Sequence, residues 1–211
     1  DGTLVDGYQG ITSGVNAARA AFGLSPLDEQ DVRGRVGHGL SNLMADVVGP
    51  ERAAAGAEIF RSVYDRVCVE QTHLVPALAD TLAALRARGL RMSVASNKPV
   101  AYSIRILERL GVLPMFDLIA GPETAGTLKP EPSMIRACLT AMNVRADEAC
   151  YVGDMAIDAV AGERAGVAVV LVCGGSTSTE GLNATGHPVL NTLKELLDLL
   201  PPHASGCADR P

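Results

Sequence analysis

The chain has 211 residues, of which 47% are hydrophobic and 20% charged, and its formal net charge is −6. These proportions are those of an ordinary globular protein, and no apolar run approaches the ~20 residues that a membrane span needs. The negative charge argues against nucleic acid or an anionic membrane as a partner, because both attract clustered Lys and Arg. The five cysteines form no closely spaced pair, which indicates buried thiols in a reducing, cytoplasmic compartment.

The chain opens on Asp1-Gly2-Thr3-Leu4-Val5-Asp6, which has the composition of a sharp exit from a strand. We expect that strand itself to lie upstream of Asp1. Residues 8–75 then show an Ala-rich helical pattern without a convincing strand. From Pro76 onwards, helical and strand-like segments alternate, which predicts a parallel sheet covered on both faces.

The second block is predicted to contain five helices and five strands. The predicted helices are residues 77–88, 99–110, 133–142, 156–165 and 193–200. The predicted strands are residues 90–95, 118–121, 149–152, 168–173 and 189–190. The pattern therefore predicts an α/β, Rossmann-like core of residues 1–7 and 76–200, with an all-helical cap of residues 8–75 inserted into it and a disordered tail at 201–211.

Four polar stretches lie at strand-like ends: the last three each follow a strand-like segment, and the first resembles the exit from a strand expected upstream of Asp1. They are Asp1-Gly2-Thr3, Ser96-Asn97, Lys129-Pro130 and Gly153-Asp154 with Asp158. Each has a plainer interpretation when it is taken alone, as a surface turn, a helix cap or an exposed lysine. Because the carboxyl ends of parallel strands meet at one edge of a sheet, the four together predict a ligand site at that edge.

In this order, the four stretches resemble the motifs of the haloacid dehalogenase-like hydrolase superfamily, and in particular of its phosphoglycolate phosphatase-like members. The resemblance implies Mg²⁺-dependent hydrolysis of a small phosphate monoester through an aspartyl-phosphate intermediate. It implies catalytic roles for Asp1, Ser96 and Lys129. It also implies Mg²⁺ ligands at Asp1, Asp154 and Asp158, and substrate contacts from Gly2, Thr3 and Asn97.

The cap stretch Val36-Gly37-His38-Gly39 resembles the glycine-rich segment by which caps of this family approach the substrate. Arg35 and His38 are the candidate substrate-binding residues there. The alternative is an ordinary joint between helices, with side chains that face solvent. The partner that we expect is a small phosphorylated metabolite, and the protein is expected to be a monomer or a homodimer.

By the same resemblance, a nucleophilic Asp should stand two residues before Asp1. We expect the sequence to be a fragment of a working enzyme, and the alternative is a non-catalytic phosphate-binding protein. A phosphosugar mutase, or another small-metabolite phosphatase, would use the same loops. Dehalogenation does not fit the Asp-Gly-Thr sequence, and an imine mechanism does not fit a cap that contains no Lys between residues 8 and 75.

Overall fold

The structure is a computed structural model that describes residues 1–200, so the predicted tail lies outside the described residues. The chain is a mixed α/β protein with a Rossmann-like core and a helical cap, as its sequence predicts. Among residues 1–200, no helix combines the length and the apolar character that crossing a membrane would demand.

The cap region is helical. Its helices are α1 (Tyr8–Ala21), α2 (Glu29–Arg33), α3 (Leu40–Val48) and α4 (Ala53–Val67). Ile11, Val15 and Ala18 are buried on one side of α1, at the helical spacing that the sequence predicts. A short antiparallel pair, β1 (Val5–Asp6) with β2 (His73–Leu74), ties the two ends of this region together. The sequence does not predict β2, because two residues are too few to show a strand periodicity.

The core contains the strands β3 (Ser93–Ala95), β4 (Leu118–Ala120), β5 (Cys150–Gly153), β6 (Ala168–Val172) and β7 (Val189–Leu190). All pairings among them are parallel, as predicted, and β7 forms the expected edge strand. In residues 1–200, β3 pairs with β4, and β5, β6 and β7 form a separate three-stranded sheet.

The core helices are α5 (Leu78–Ala87), α6 (Val100–Arg109), α7 (Pro122–Ala125), α8 (Ser133–Met142), α9 (Ala156–Ala165), α10 (Thr179–Asn183) and α11 (Leu196–Leu199). The predictions for α8 and α9 match the observed bounds, and those for α5 and α6 differ by one residue at each end. The last predicted helix is divided, because a 3₁₀ turn at Leu193–Glu195 precedes α11. α7 and α10, of four and five residues, are not predicted.

The first loop of the chain lies between the carboxyl ends of β3 and β5. The carboxylate of Asp1 forms an ion pair with Lys98, which follows β3. Two residues further on, the Thr3 hydroxyl donates a hydrogen bond to Asp154, which follows β5. Residues 1–3 therefore join the ends of two strands that do not pair with each other.

Candidate active site

A cavity of about 130 Å³ lies where the cap meets the carboxyl ends of the core strands. Every one of the four predicted loops contributes to its lining. The predicted site residues found there are Asp1, Ser96, Asn97, Lys129, Asp154 and Asp158. The prediction that these stretches converge at one edge of the core is thereby confirmed.

Asp154 is held in place at the end of β5 by neighbouring loops. Its Oδ1 accepts a hydrogen bond from the Thr3 hydroxyl at 2.6 Å, and its Oδ2 accepts one from the Ser176 backbone N–H at 3.1 Å. A Cβ atom built on Gly2 or Gly175 would lie 2.2 or 1.8 Å from Asp154 Oδ2. Both positions therefore require glycine, because the backbone passes directly against this carboxylate.

The electrostatic surroundings of Asp154 favour a cation beside it. Its side chain is buried, and burial raises the pKa of the Asp154 carboxyl because it penalises the charged form. The nearby Asp158 carboxylate raises the same pKa further. A bound cation would offset both effects, since it stabilises the ionised form.

Lys129 and Asp158 form a buried ion pair in the lining of the same cavity. The Lys129 ammonium lies 2.7 Å from Asp158 Oδ1 and donates to the Tyr151 hydroxyl at 2.9 Å. Burial alone would lower the pKa of the Lys129 ammonium, but Asp158 and Tyr151 outweigh it and raise that pKa above its ordinary value. Lys129 is therefore a fixed positive charge.

The other oxygen of Asp158 is also engaged. Oδ2 accepts hydrogen bonds from the backbone N–H groups of Asp154 at 3.1 Å and Met155 at 3.0 Å, which caps the start of α9. Since its oxygens already bind Lys129 and the backbone, the geometry favours a supporting role for Asp158 over direct metal ligation. Its role as a metal ligand stays a prediction.

Asp1 lies across the cavity, with its side chain largely buried. Its Oδ2 is 2.9 Å from the Lys98 ammonium, and Lys98 also donates to the hydroxyl of Tyr64, on the cap helix α4, at 2.5 Å. Asp1 Oδ1 is buried without a hydrogen-bond partner among the described residues. A buried carboxylate oxygen left in that state is an acceptor available for a ligand.

Ser96 and Asn97 follow β3 and organise the loops around the cavity. Ser96 Oγ accepts a hydrogen bond from the Lys98 backbone N–H at 3.1 Å, which leaves its hydroxyl hydrogen available to a ligand oxygen. Asn97 Oδ1 accepts from the Lys129 backbone N–H at 2.7 Å, and Asn97 Nδ2 donates to the Gly37 carbonyl at 2.7 Å. Asn97 thus ties two core loops to the cap, rather than pointing a free amide at a substrate.

Four of the predicted substrate-binding residues do not line this cavity, and their roles stay predictions. Gly2 and Thr3 support Asp154 from outside the lining of this cavity. Arg35 is exposed and forms an ion pair with Asp46 at 2.7 Å, and His38 is exposed as well. The glycine-rich cap segment does reach the cavity, but it does so through Val36, Gly37 and Gly39.

The residues that sequence reasoning missed are Lys98, Tyr64, Tyr151 and the loop Gly174-Gly175-Ser176. Lys98 directly follows Ser96 and Asn97, so the second loop already contained it. Gly174-Gly175-Ser176 follows the apolar strand β6, and that pattern is the signal of a fifth loop at the same edge. Tyr64 and Tyr151 carry no such signal, because each lies within a helix or strand whose pattern reports burial alone.

The carboxylates around the cavity fit a magnesium ion. Among residues 1–200, no group of three or more His, Cys, Asp or Glu side chains has the geometry of a complete metal centre. Mg²⁺ does not need one, because it keeps several waters and binds one or two carboxylates together with substrate phosphate. Asp154, a buried carboxylate whose surroundings favour a cation, is the residue that would hold it, together with the backbone carbonyl of Asp1 that the family resemblance implies.

Comparison with known proteins identifies the family of the chain. The sequence model of the family described as haloacid dehalogenase-like hydrolase matches residues 1–172. The phosphoglycolate phosphatase of Chromobacterium violaceum is 31% identical over 210 residues, which cover 95% of this chain and 93% of the relative. That of Rhodospirillum rubrum is 34% identical over 184 residues, which cover 82% of this chain and 76% of the relative.

A solved structure with the same fold is that of a predicted phosphatase from Clostridium acetobutylicum. It superposes with a TM-score of 0.85 at 25% identity, and the match covers 94% of each chain. The sequence match, the fold and the convergent loops agree with one another. The chain belongs to the haloacid dehalogenase-like hydrolase family and is similar to its phosphoglycolate phosphatases.

Proposed function

We propose that this phosphoric monoester hydrolase requires Mg²⁺ and acts on a small anionic phosphate ester, with 2-phosphoglycolate as the first candidate substrate. The observation that carries the proposal is the convergence of Asp1, Ser96, Lys129 and Asp154 on one cavity. The names of the relatives supply the candidate substrate. The small cavity favours a short ester over the phosphosugar of a mutase. The buried free thiols of Cys68 and Cys138 support a reducing, cytoplasmic compartment.

Phosphoryl transfer mainly needs in-line positioning and neutralisation of charge on the phosphoryl oxygens. Lys129 supplies a fixed positive charge on one side of the phosphoryl position, and Ser96 supplies a hydroxyl donor. Asp154 would hold the metal ion, which supplies further positive charge to the phosphoryl oxygens when it is bound. Asp158 and Tyr151 keep Lys129 in place.

The proposed general acid and base is Asp1. In the proposed first step, an Asp carboxylate located two residues before Asp1 attacks phosphorus, the ester bond breaks and Asp1 protonates the departing alkoxide. In the second step, Asp1 takes a proton from water as the water oxygen attacks the aspartyl-phosphate. This releases phosphate, frees the attacking Asp as a carboxylate and leaves Asp1 protonated, ready to act as the acid in the next cycle.

The test is metal-dependent phosphate release by an extended chain, which we define as the 211 residues preceded by an apolar strand that ends in Asp-x. We expect hydrolysis of 2-phosphoglycolate with Mg²⁺ and none after the metal is chelated. Glucose 6-phosphate should be a poor substrate because of the cavity size. The proposal is wrong if the folded extended chain releases no phosphate from either ester in the presence of Mg²⁺.

In the extended chain, we expect Lys129→Met and Ser96→Ala to reduce turnover by roughly tenfold or more, while the KM changes less. The reason is that both side chains oppose charge that concentrates on the phosphoryl group in the transition state. Steady-state kinetics would measure the effect, with Lys194→Met as the control because Lys194 is exposed.

Lys129→Met also leaves Asp158 as a buried charge without its partner, which is destabilising. Ser96→Ala carries no such risk, and thermal unfolding of both variants separates loss of fold from loss of chemistry. If folded Ser96→Ala and Lys129→Met turned over as fast as Lys194→Met, neither residue would belong to the phosphoryl site.

A further inference from the structure

The lining of the cavity contains two cationic side chains among the described residues, Lys98 and Lys129. Lys129 is engaged with Asp158 and Tyr151 behind the phosphoryl position. Lys98 occupies the junction between core and cap, where it binds Asp1 at 2.9 Å and the Tyr64 hydroxyl at 2.5 Å. An ammonium carries three N–H donors, so one donor of Lys98 remains for a ligand.

Among the described residues, the cap side of the cavity contributes no charged side chain, and its polar side chains are Tyr8 and Tyr64. Its walls are formed by the apolar side chains of Ile11, Val36, Leu40, Leu43 and Phe60. A carboxylate placed against such a surface loses hydration without gaining a partner, which is strongly unfavourable. Arg35 does not help, since it is exposed and paired with Asp46 outside the cavity lining.

Tyr64 gives Lys98 a partner from the cap. The Tyr64 ring is buried, stacks on Phe60 with centroids 5.1 Å apart and meets the edge of Tyr102 from the core, also at 5.1 Å. Its hydroxyl is therefore fixed in position. Together, the ammonium of Lys98 and the hydroxyl of Tyr64 form a polar binding site beside the apolar cap side chains.

Building on the proposed function, we infer that Lys98 and Tyr64 recognise a carboxylate that the substrate carries one carbon away from its ester oxygen. Asp1 must reach that ester oxygen to protonate it, and the Lys98 ammonium lies 2.9 Å from Asp1. A carboxylate one carbon away from the same oxygen is then within reach of Lys98. The substrate class is thus short phosphate esters of 2-hydroxy acids, and the pair determines specificity.

The experiment compares two esters of matched length in the extended chain. In 2-phosphoglycolate a carboxylate occupies the place of the methyl group in ethyl phosphate. We expect Lys98→Met to lower the ratio of the two kcat/KM values by about tenfold or more, because it removes a charged partner of the carboxylate. Tyr64→Phe should lower that ratio by about threefold to tenfold, mainly by raising the KM for 2-phosphoglycolate. Lys194→Met is the matched control and should leave the ratio unchanged.

The ratio separates recognition from a purely structural role. If Lys98→Met slowed both esters equally and Tyr64→Phe left the ratio unchanged, the pair would act only on Asp1 and the inference would be overturned. Failure of the proposed function looks different, since the unsubstituted extended chain would then hydrolyse neither ester with Mg²⁺. Tyr64→Phe keeps the ring and its packing, so the test stands even if Lys98→Met does not fold.

Discussion

Asp154→Asn should weaken Mg²⁺ binding by at least about tenfold and reduce phosphatase activity to a similar extent, because it removes the charge of a proposed metal ligand. The asparagine is nearly the same size as the aspartate, so the close passage of Gly2 and Gly175 is preserved. It also keeps an oxygen that can accept the hydrogen bond from Thr3, although its amide NH₂ replaces the oxygen that accepts from the Ser176 backbone N–H. The loss should therefore be electrostatic rather than steric. Titration of Mg²⁺ into the extended chain, followed by calorimetry and by initial rate, would measure it.

Asp198→Asn is the matched control. Asp198 is an exposed residue of α11, and its substitution removes the same charge far from the cavity. The Mg²⁺ affinity and the initial rate of the Asp198→Asn variant should equal those of the unsubstituted protein, because exposed charges contribute little to binding at a distant site. Equal losses in the two variants would remove Asp154 from the metal site and would point to a general effect of net charge.

The agreement between sequence and structure is closest where local signals are strong. Helix α8 is followed by Asn143, which adopts a left-handed conformation, and α9 is followed by Gly166, which does the same. Asn and Gly adopt this conformation readily, so the local sequence alone specifies where these helices end. The loops were also predictable as a group, because Ser96 and Asp154 directly follow strands of the parallel core and Lys129 lies in the connection after β4. Order along the chain is enough to bring them together once the strands are parallel.

The sequence is least informative where long-range packing decides the position of a side chain. Arg35 and His38 are close in sequence to the glycines that reach the cavity, yet they are exposed while Val36 and Gly37 line it. Proximity in sequence does not specify which side of an irregular loop faces the core. The contact of Lys98 with Tyr64 joins residues 34 positions apart on core and cap. No periodicity within either segment reports such a pair.

The arrangement of the core strands indicates where a strand that leads into Asp1 would lie. β3 and β5 do not pair with each other in residues 1–200, although each has a partner on its far side. Tyr151 of β5 donates to the carbonyl of Ala95 at the end of β3 at 2.9 Å, so the two strands are neighbours. Residues 1–3 contact the loops after both strands. A strand leading into Asp1 would therefore run between β3 and β5 and would pair with both.

We expect the 211-residue chain alone to be inactive and poorly stable, and the extended chain to correct both properties. Without a strand between them, β3 and β5 leave backbone N–H and C=O groups unpaired along their facing edges. Burying three or four large apolar side chains of an added strand contributes about 5–12 kcal/mol, at roughly 1.5–3 kcal/mol each. That is comparable with the ~5–15 kcal/mol net stability of a whole domain.

The same added strand would deliver a nucleophilic Asp beside Asp1, so a single segment is expected to govern both stability and chemistry. The measurement compares thermal unfolding and Mg²⁺-dependent phosphate release for three proteins: the 211-residue chain, the extended chain, and an extended chain in which the added Asp is Asn. The Asn version should unfold like the extended chain but release no phosphate, because it restores the pairing without the nucleophile. If the 211-residue chain unfolded cooperatively at the same temperature as the extended chain, the position between β3 and β5 would not be a strand site. Metal-dependent turnover by the 211-residue chain would show instead that the nucleophile lies among residues 1–211.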